Sequence, residues 1–291
     1  MTTARHLRRG AAELAAPFPP LLAEAERLAA TVLMGEHGRR RSGMGDEFWQ
    51  YRPAVEGDEA RLIDWRRSAK SDVHFIRQRE WQAAQSVLIW ADRAASMGFT
   101  SDKEIPAKGA RANILTLALS ILLVRAGERV GMANSVTPPR SGEPQLLRMA
   151  QELTTEVVDG DYGAPQLTGL RPNVRAVFLS DFMGDIAPIE AALTKAADRG
   201  VRGALLQILD PVEEAFPFNG RTIFESMSGA LKHETLKAGD LRDRYLDRLA
   251  ARKDALSTLA RATGWQYHVH HTDQPGSAAL LWLYTALERG R

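Results

Sequence analysis

Residues Ser86-Val-Leu-Ile-Trp-Ala91 form a short apolar run that is followed directly by Asp92. An apolar run without polar alternation is typical of a strand that is buried on both faces of a sheet. Similar runs recur downstream, and helical patterns separate them. This alternation predicts an α/β fold in which a mostly parallel sheet carries helices on both faces. The predicted strands are Ser86–Ala91, Arg129–Val136, Val174–Leu179, Val201–Leu209 and Trp265–His270.

Three of these strands, Ser86–Ala91, Val174–Leu179 and Val201–Leu209, are expected to be parallel neighbours in the centre of the sheet. Helices are predicted by apolar residues spaced three and four apart. They are Leu21–Leu33, Ala107–Ala126, Glu143–Val158, Ile189–Arg199, Asp240–Thr263 and Ser277–Arg289.

The chain is expected to contain three parts. Residues 1–35 form an N-terminal helical segment, and residues 36–85 form a small irregular β and turn module, because that stretch is polar and only weakly periodic. Residues 86–291 form the main α/β domain.

The composition limits the classes of function. The chain has 291 residues, of which 44% are hydrophobic and 25% charged, and this excludes a mostly disordered protein. The absence of cysteine excludes disulfides, thiolate metal sites and cysteine nucleophiles. The net charge is only +2 and there is no basic tail, so nucleic acid is not an expected partner. The most apolar segment, Ile114–Val124, is too short to span a bilayer, and we expect a cytoplasmic protein.

Acidic and hydroxyl side chains follow two of the predicted central strands. Asp92 and Ser96 come after the first strand, and Asp181 comes after Val174–Leu179. Ligands of open parallel sheets bind beyond the carboxyl ends of the strands, where these side chains would converge. Carboxylate and hydroxyl oxygens suit a hard cation, so the three residues are a candidate Mg²⁺ site. The simpler alternative is that both aspartates cap the helices or turns that follow them.

A second pattern lies upstream of the first strand. It consists of Arg41-Ser-Gly-Met-Gly-Asp-Glu-Phe48, Arg52, Glu56-Gly-Asp58, Arg61-Leu-Ile-Asp-Trp65 and Ser68-Ala69. Together with the strand that ends in Asp92, this pattern resembles the bacterial family called domain of unknown function 58. The most specific residues are Gly57, Asp58, Arg61, Asp64 and Trp65. The resemblance implies a von Willebrand factor A-like, Rossmann-like main domain and a MoxR-type AAA+ ATPase as partner.

The sequence departs from the metal site that such domains carry. A metal-ion-dependent adhesion site begins with Asp-x-Ser-x-Ser, whereas this chain has Asp92-Arg-Ala-Ala-Ser96. The methyl group of Ala94 cannot coordinate a metal, and Arg93 adds a positive charge that opposes a cation. We therefore expect a degenerate site with weak Mg²⁺ binding or none, and no required cofactor.

The signature run also has a physical interpretation. Gly57 permits a turn, and Asp58 with Arg61 suits a capped helical turn. Ile63 and Trp65 are then expected to be buried anchors that join the small module to the main domain. The alternative is a docking face formed by the exposed arginine and aspartate side chains of this run.

Three histidines near the end of the chain form another candidate metal cluster. His268 and His270 face the same way on the predicted strand, and His271 and Asp273 lie close in sequence. The simpler alternative is one partly buried histidine and two solvated ones. The sequence contains neither a P-loop nor a Gly-x-Ser-x-Gly nucleophile elbow.

These features favour a non-enzymatic adaptor or assembly factor that binds a MoxR-type AAA+ ATPase or its client. The expected binding surface is the carboxyl edge of the sheet, with Arg93, Phe182 and Asp185 as contact residues. The alternative is a Mg²⁺-dependent hydrolase or nuclease that uses Asp92 and Asp181.

Overall fold

The computed structural model describes residues 18–36, 48–55, 63–69, 73–79, 84–155, 160–167, 172 and 174–288. The chain divides into two compact units, a small one at His37–Ala84 and a main one that combines Met1–Glu36 with Gln85–Arg291. In chain order the helices and strands are α1 (Phe18–Glu36), β1 (Phe48–Pro53), α2 (Trp65–Ser68), β2 (Phe75–Arg79), β3 (Ser86–Ala91), α3 (Lys108–Arg125), β4 (Arg129–Met132), α4 (Glu143–Thr154), β5 (Arg175–Ser180), α5 (Ala187–Ala197), β6 (Arg202–Leu209), α6 (Pro211–Ala215), β7 (Thr222–Glu225), β8 (Lys232–Thr235), α7 (Arg242–Ala262), β9 (Gln266–His271) and α8 (Gly276–Glu288).

The main unit contains a parallel five-stranded sheet in the order β4-β3-β5-β6-β9. The three strands expected at the centre, β3, β5 and β6, are indeed neighbours, which confirms that prediction. Ile89 and Phe178 are fully buried, as strands covered on both faces require. The chain is therefore an α/β protein with a parallel central sheet and flanking helices.

Alternate residues of each central strand enter two separate cores. In β3, Val87 and Ile89 pack on the side of α1, α3, α4 and α8. Leu88 and Trp90 point to the opposite face and pack on the side of α5 and α7. Apolar side chains cover both faces of the sheet at β3, so neither face of this strand is exposed to water. This explains why the run Ser86–Ala91 is apolar without polar alternation.

The N-terminal helix belongs to the main unit and is not a separate segment, which corrects the expected division at residue 35. Helix α1 packs against α3 and α8. Its small residues Ala25 and Ala29 are fully buried in the core on that face of the sheet. Glu26 also forms an exposed ion pair with Arg125 of α3. The apolar stripe of α1 thus covers one face of the main domain, which is the partner surface that an amphipathic helix needs.

The small unit consists of an antiparallel pair, β1 with β2, and the single-turn helix α2. Asp64 caps this turn, because its Oδ1 accepts a hydrogen bond from the Arg67 amide at 3.0 Å. Trp65 contacts the ring of His74 but is 58% exposed, so its expected role as a buried anchor is wrong. The signature residues Gly57, Asp58 and Arg61, and the side chain of Arg52, lie outside the described residues.

Sequence patterns did not predict the segment that follows β6. The short helix α6 comes directly after that strand, and the antiparallel hairpin β7–β8 follows. An aromatic cluster holds this segment against α7: Phe216 lies 5.7 Å from Phe224 and 4.9 Å from Tyr245 between ring centroids. In the part of the chain that the structure describes, no helix is both long enough and apolar enough to cross a membrane.

Candidate functional site: the carboxyl edge of the sheet

Asp92 is buried at the end of β3 and is held by three protein donors. Its Oδ2 accepts from the Ser180 hydroxyl at 2.6 Å, and its Oδ1 accepts from the Ala94 amide at 2.9 Å. Burial raises the pKa of Asp92, while hydrogen bonds from Ser180 and from the amides of Ala94 and Gly163 oppose that rise. A Cβ atom at Gly163 would collide with the Asp92 carboxylate, so this close approach requires glycine.

Asp181 is buried at the end of β5 and is paired with a lysine. Its Oδ2 lies 2.8 Å from Nζ of Lys108, the first residue of α3, while its Oδ1 accepts from the Met183 amide at 3.1 Å. The same Nζ donates to Oε1 of Glu213 at 2.6 Å. The side chain of Lys108 is only 1% exposed. A buried ammonium group therefore lies between two carboxylates at the edge that carries the candidate Mg²⁺ site.

A capping box positions Glu213 for this contact. The residue lies in α6, where its Oε2 accepts from the Asp210 amide at 2.8 Å. The Asp210 carboxylate in turn accepts from the amides of Val212 at 2.9 Å and Ser101 at 2.8 Å. With one Glu213 oxygen fixed by the helix N-terminus, the other is directed at Lys108.

The electrostatics keep Lys108 charged. Burial alone would lower the pKa of Lys108, but attraction to Asp181 and Glu213 and the hydrogen bonds to both carboxylates outweigh burial and raise it. Burial raises the pKa of Glu213, and the nearby lysine only partly offsets this. The ammonium also lies 5.7 Å from the centroid of the Phe99 ring, which adds a cation–π contact. Lys108 therefore supplies a permanent positive charge inside the site.

Ser96, the third predicted metal ligand, lies in a single 3₁₀ turn after β3. Its backbone amide donates to the Asp161 carbonyl at 2.9 Å, and its buried Oγ has no hydrogen-bond partner among the described residues. Within those residues no three His, Cys, Asp or Glu side chains are grouped as metal ligands. The structure thus brings Asp92 and Asp181 to one edge, but protein donors already bind both carboxylates.

Two of the three expected partner contacts, Arg93 and Phe182, have internal roles that differ from the prediction. The Arg93 guanidinium donates to the carbonyls of Glu152 and Thr155, at 2.5 and 3.2 Å, and so satisfies acceptors that the end of α4 leaves unpaired. Phe182 is only 2% exposed, packs beside Trp90 and has a φ of 51°, so it is a core residue and not a surface contact.

Asp185, the last expected contact, is exposed. Its Oδ1 accepts from the Ala187 amide at 3.2 Å, at the start of α5. Of the three residues predicted to bind a partner, Asp185 is therefore the most accessible one.

The histidines do not form a common site among the described residues. His268 stacks on Trp282 with ring centroids 4.9 Å apart, whereas His271 Nε2 lies 2.6 Å from Glu214 Oε2. His270 is buried, and burial together with the nearby positive charge of Arg111 lowers its pKa to about 4. A neutral buried histidine and two partly exposed ones match the simpler alternative.

Sequence reasoning missed the two residues that complete the edge, Lys108 and Glu213. The signal for Glu213 was present, because Asp210-Pro-Val-Glu213 follows a strand and has the spacing of a capping box. Lys108 carries no comparable signal, since a lysine at the start of a predicted helix is usually solvated.

Known proteins are similar in sequence to this chain over most of its length. The chain is 25% identical over 276 residues to the uncharacterized proteins Mb1516 of Mycobacterium bovis and Rv1480 of Mycobacterium tuberculosis, which covers 89% of this chain and 85% of each relative. Two crystal structures also match over 71% of this chain and 100% of theirs, each with a TM-score of 0.41. One is an aerotolerance-related membrane protein from Bacteroides fragilis with multiple mutations to serines, at 15% identity, and the other is the conserved hypothetical protein BatB from Bacteroides thetaiotaomicron, at 14%.

The family comparison agrees with the signature run found in the sequence. The match begins in β1, includes the small unit from there onwards and extends into α7 of the main unit. It covers residues 50–255, well over half of the chain, and the chain therefore belongs to the family described as Protein of unknown function DUF58.

Proposed function

We propose that the chain is a non-enzymatic cytoplasmic adaptor or assembly factor with a von Willebrand factor A-like domain, and that it works with a MoxR-type AAA+ ATPase on a client protein. In this proposal the carboxyl edge is a degenerate metal-ion-dependent adhesion site. The observation that carries the proposal is the position of Lys108, whose ammonium contacts Asp181 and Glu213 at 2.8 and 2.6 Å.

The chemistry of lysine supports binding over metal-dependent catalysis at this edge. An ammonium group donates hydrogen bonds and has no lone pair, so it balances the carboxylates but cannot activate a water molecule as a metal ion does. The Asp181 oxygen that contacts Lys108 is no longer open to a metal. The edge then serves as a rigid support for its loops, an arrangement that suits recognition.

The small unit offers an exposed tryptophan and an exposed arginine as contact residues for a protein partner. Trp65 is 58% exposed, and Arg66 beside it is also exposed. Tryptophan and arginine are enriched among the residues that dominate binding energy at protein interfaces. We therefore place the ATPase contact on Trp65 and Arg66, in place of Arg93 and Phe182.

A binding experiment tests this assignment. The full chain is immobilised, and its affinity for a purified MoxR-type AAA+ ATPase from the same organism is measured by biolayer interferometry. Trp65→Ala is expected to weaken binding by about tenfold or more, because loss of a central interface tryptophan costs roughly 2 kcal/mol. The Tm is expected to change little, since the removed side chain is mainly exposed.

Val136→Ala is the matched control, because Val136 is 96% exposed and lies in the main unit. This variant should bind as the unmodified chain does. If the unmodified chain shows no binding, the ATPase partnership is wrong. If Trp65→Ala binds as tightly as the unmodified chain, the partnership stands and the assigned surface is wrong.

A further inference from the structure

A cavity of about 800 Å³ opens beside Lys108, Asp181 and Glu213. Its wall comes from the 3₁₀ turn with Ser96, the hairpin residue Met227 and the long helix α7. This volume falls in the range of small-molecule sites, which combine apolar walls with a few placed polar groups. Phe99, Ile186 and Leu249 supply apolar wall, so the cavity has both components.

Four acidic side chains line the cavity, and all of them except the exposed Glu225 already have donors. Asp181 and Glu213 share Lys108. The Asp161 carboxylate accepts from the Ser228 amide at 3.0 Å, which ties the hairpin loop to the rim. These carboxylates therefore have little unmet need for a cationic ligand.

Among the described residues, the two buried side-chain atoms of the cavity that lack a hydrogen-bond partner can both donate. Nη1 of Arg252 is buried, and among the described residues it has no hydrogen-bond partner. The same holds for Oγ of Ser96, a residue that is only 9% exposed. Arg248, one turn earlier on α7, lines the cavity as well, and burial raises the pKa of the Tyr245 hydroxyl, which stays protonated and able to donate. A buried donor without an acceptor costs free energy of folding, so a ligand that accepts hydrogen bonds would satisfy these groups.

We propose that this cavity binds a small organic anion whose carboxylate or phosphate oxygens accept hydrogen bonds from Arg252 and Ser96 and whose apolar body packs against Phe99 and Leu249. The planar guanidinium suits both kinds of oxyanion, because it presents paired N–H donors. This ligand site lies on α7 and the Ser96 turn, and it does not depend on the ATPase contact assigned to Trp65 and Arg66.

Thermal shift and calorimetry with four probes test the proposal on the full chain. The probes are phenyl phosphate, benzoate, inorganic phosphate and the neutral benzyl alcohol. At least one of the two aromatic anions is expected to raise the Tm at millimolar concentration, because a ligand that binds only the folded state stabilises it. Phenyl phosphate acting alone identifies phosphate as the bound group, and benzoate acting alone identifies carboxylate.

The variants show whether Arg252 and Ser96 hold the anion. Arg252→Met is expected to lower the affinity for the binding probe by roughly tenfold or more, because a charged hydrogen bond is lost. Arg261→Met, on the exposed side of the same helix, should leave that affinity unchanged. If Arg252→Met does not fold, Ser96→Ala is measured instead and a several-fold loss is expected. The proposal is overturned if neither aromatic anion binds, if benzyl alcohol binds as well as they do, or if the folded Arg252 or Ser96 variant keeps full affinity.

Discussion

Replacing Lys108 with methionine is expected to lower the free energy of unfolding by about 3–5 kcal/mol, because the buried Asp181 carboxylate and the partly buried Glu213 carboxylate lose the cation that balances them. Lys108 is 1% exposed, and its ammonium is the donor shared by Asp181 and Glu213. Methionine preserves the apolar stem of the side chain, so the loss of stability measures mainly the effect of removing the positive charge. Chemical denaturation followed by circular dichroism measures the change as a shift of the midpoint.

Two further variants separate this effect from a general cost of removing lysine. Lys195→Met removes an exposed lysine from α5 and should change stability by no more than about 0.5 kcal/mol. Adding Glu213→Gln to Lys108→Met removes one of the two uncompensated charges and should recover part of the loss. A Lys108→Met protein that is as stable as the unmodified chain would contradict the assignment of Lys108 as the internal cation.

Replacing Phe178 with alanine should also cost about 3–5 kcal/mol, because it opens a cavity in the core between the sheet and helices α5 and α7. The Phe178 side chain is fully buried in the central strand β5. Its ring centroid lies 4.8 Å from that of Trp265 and 5.9 Å from that of Trp90. Urea denaturation gives the loss as a change in midpoint at constant slope.

Phe178→Leu should cost clearly less than Phe178→Ala, since leucine refills most of the space. Leu231→Ala, at a side chain that is 66% exposed, should be close to neutral. Equal losses for Phe178→Ala and Leu231→Ala would show that β5 is not in the centre of the fold.

The parallel sheet was predictable because its strands carry a local signal. Ser86–Ala91 matches the predicted strand residue for residue, since burial on both faces leaves a continuous apolar run. Strand Arg129–Met132 is shorter than predicted, because the chain turns after Met132. The hairpin β7–β8 escaped prediction because its strands have four residues each, and Ile223 on it is 50% exposed. Such a short, exposed segment is neither long enough nor apolar enough to show a strand pattern in the sequence.

The candidate site was predictable only in part. Asp92 and Asp181 follow strong strand signals, and their place at the edge follows from the parallel topology. The contact between Lys108 and Asp181 joins residues 73 positions apart, and no periodicity in sequence encodes it. Likewise Phe182 is buried and has a left-handed backbone conformation that is rare for a residue other than glycine, which its sequence context does not reveal. The charge balance of the edge is therefore a property of the tertiary structure.

Isothermal calorimetry of Mg²⁺ binding to the unmodified chain tests most directly whether the lysine replaces a metal at this edge. With Lys108 in place and both aspartates bound by protein donors, no saturable heat is expected, and millimolar Mg²⁺ should leave the Tm unchanged. The contradicting result is saturable Mg²⁺ binding to the unmodified chain that Asp181→Asn abolishes while Asp185→Asn, at the exposed aspartate beside it, does not.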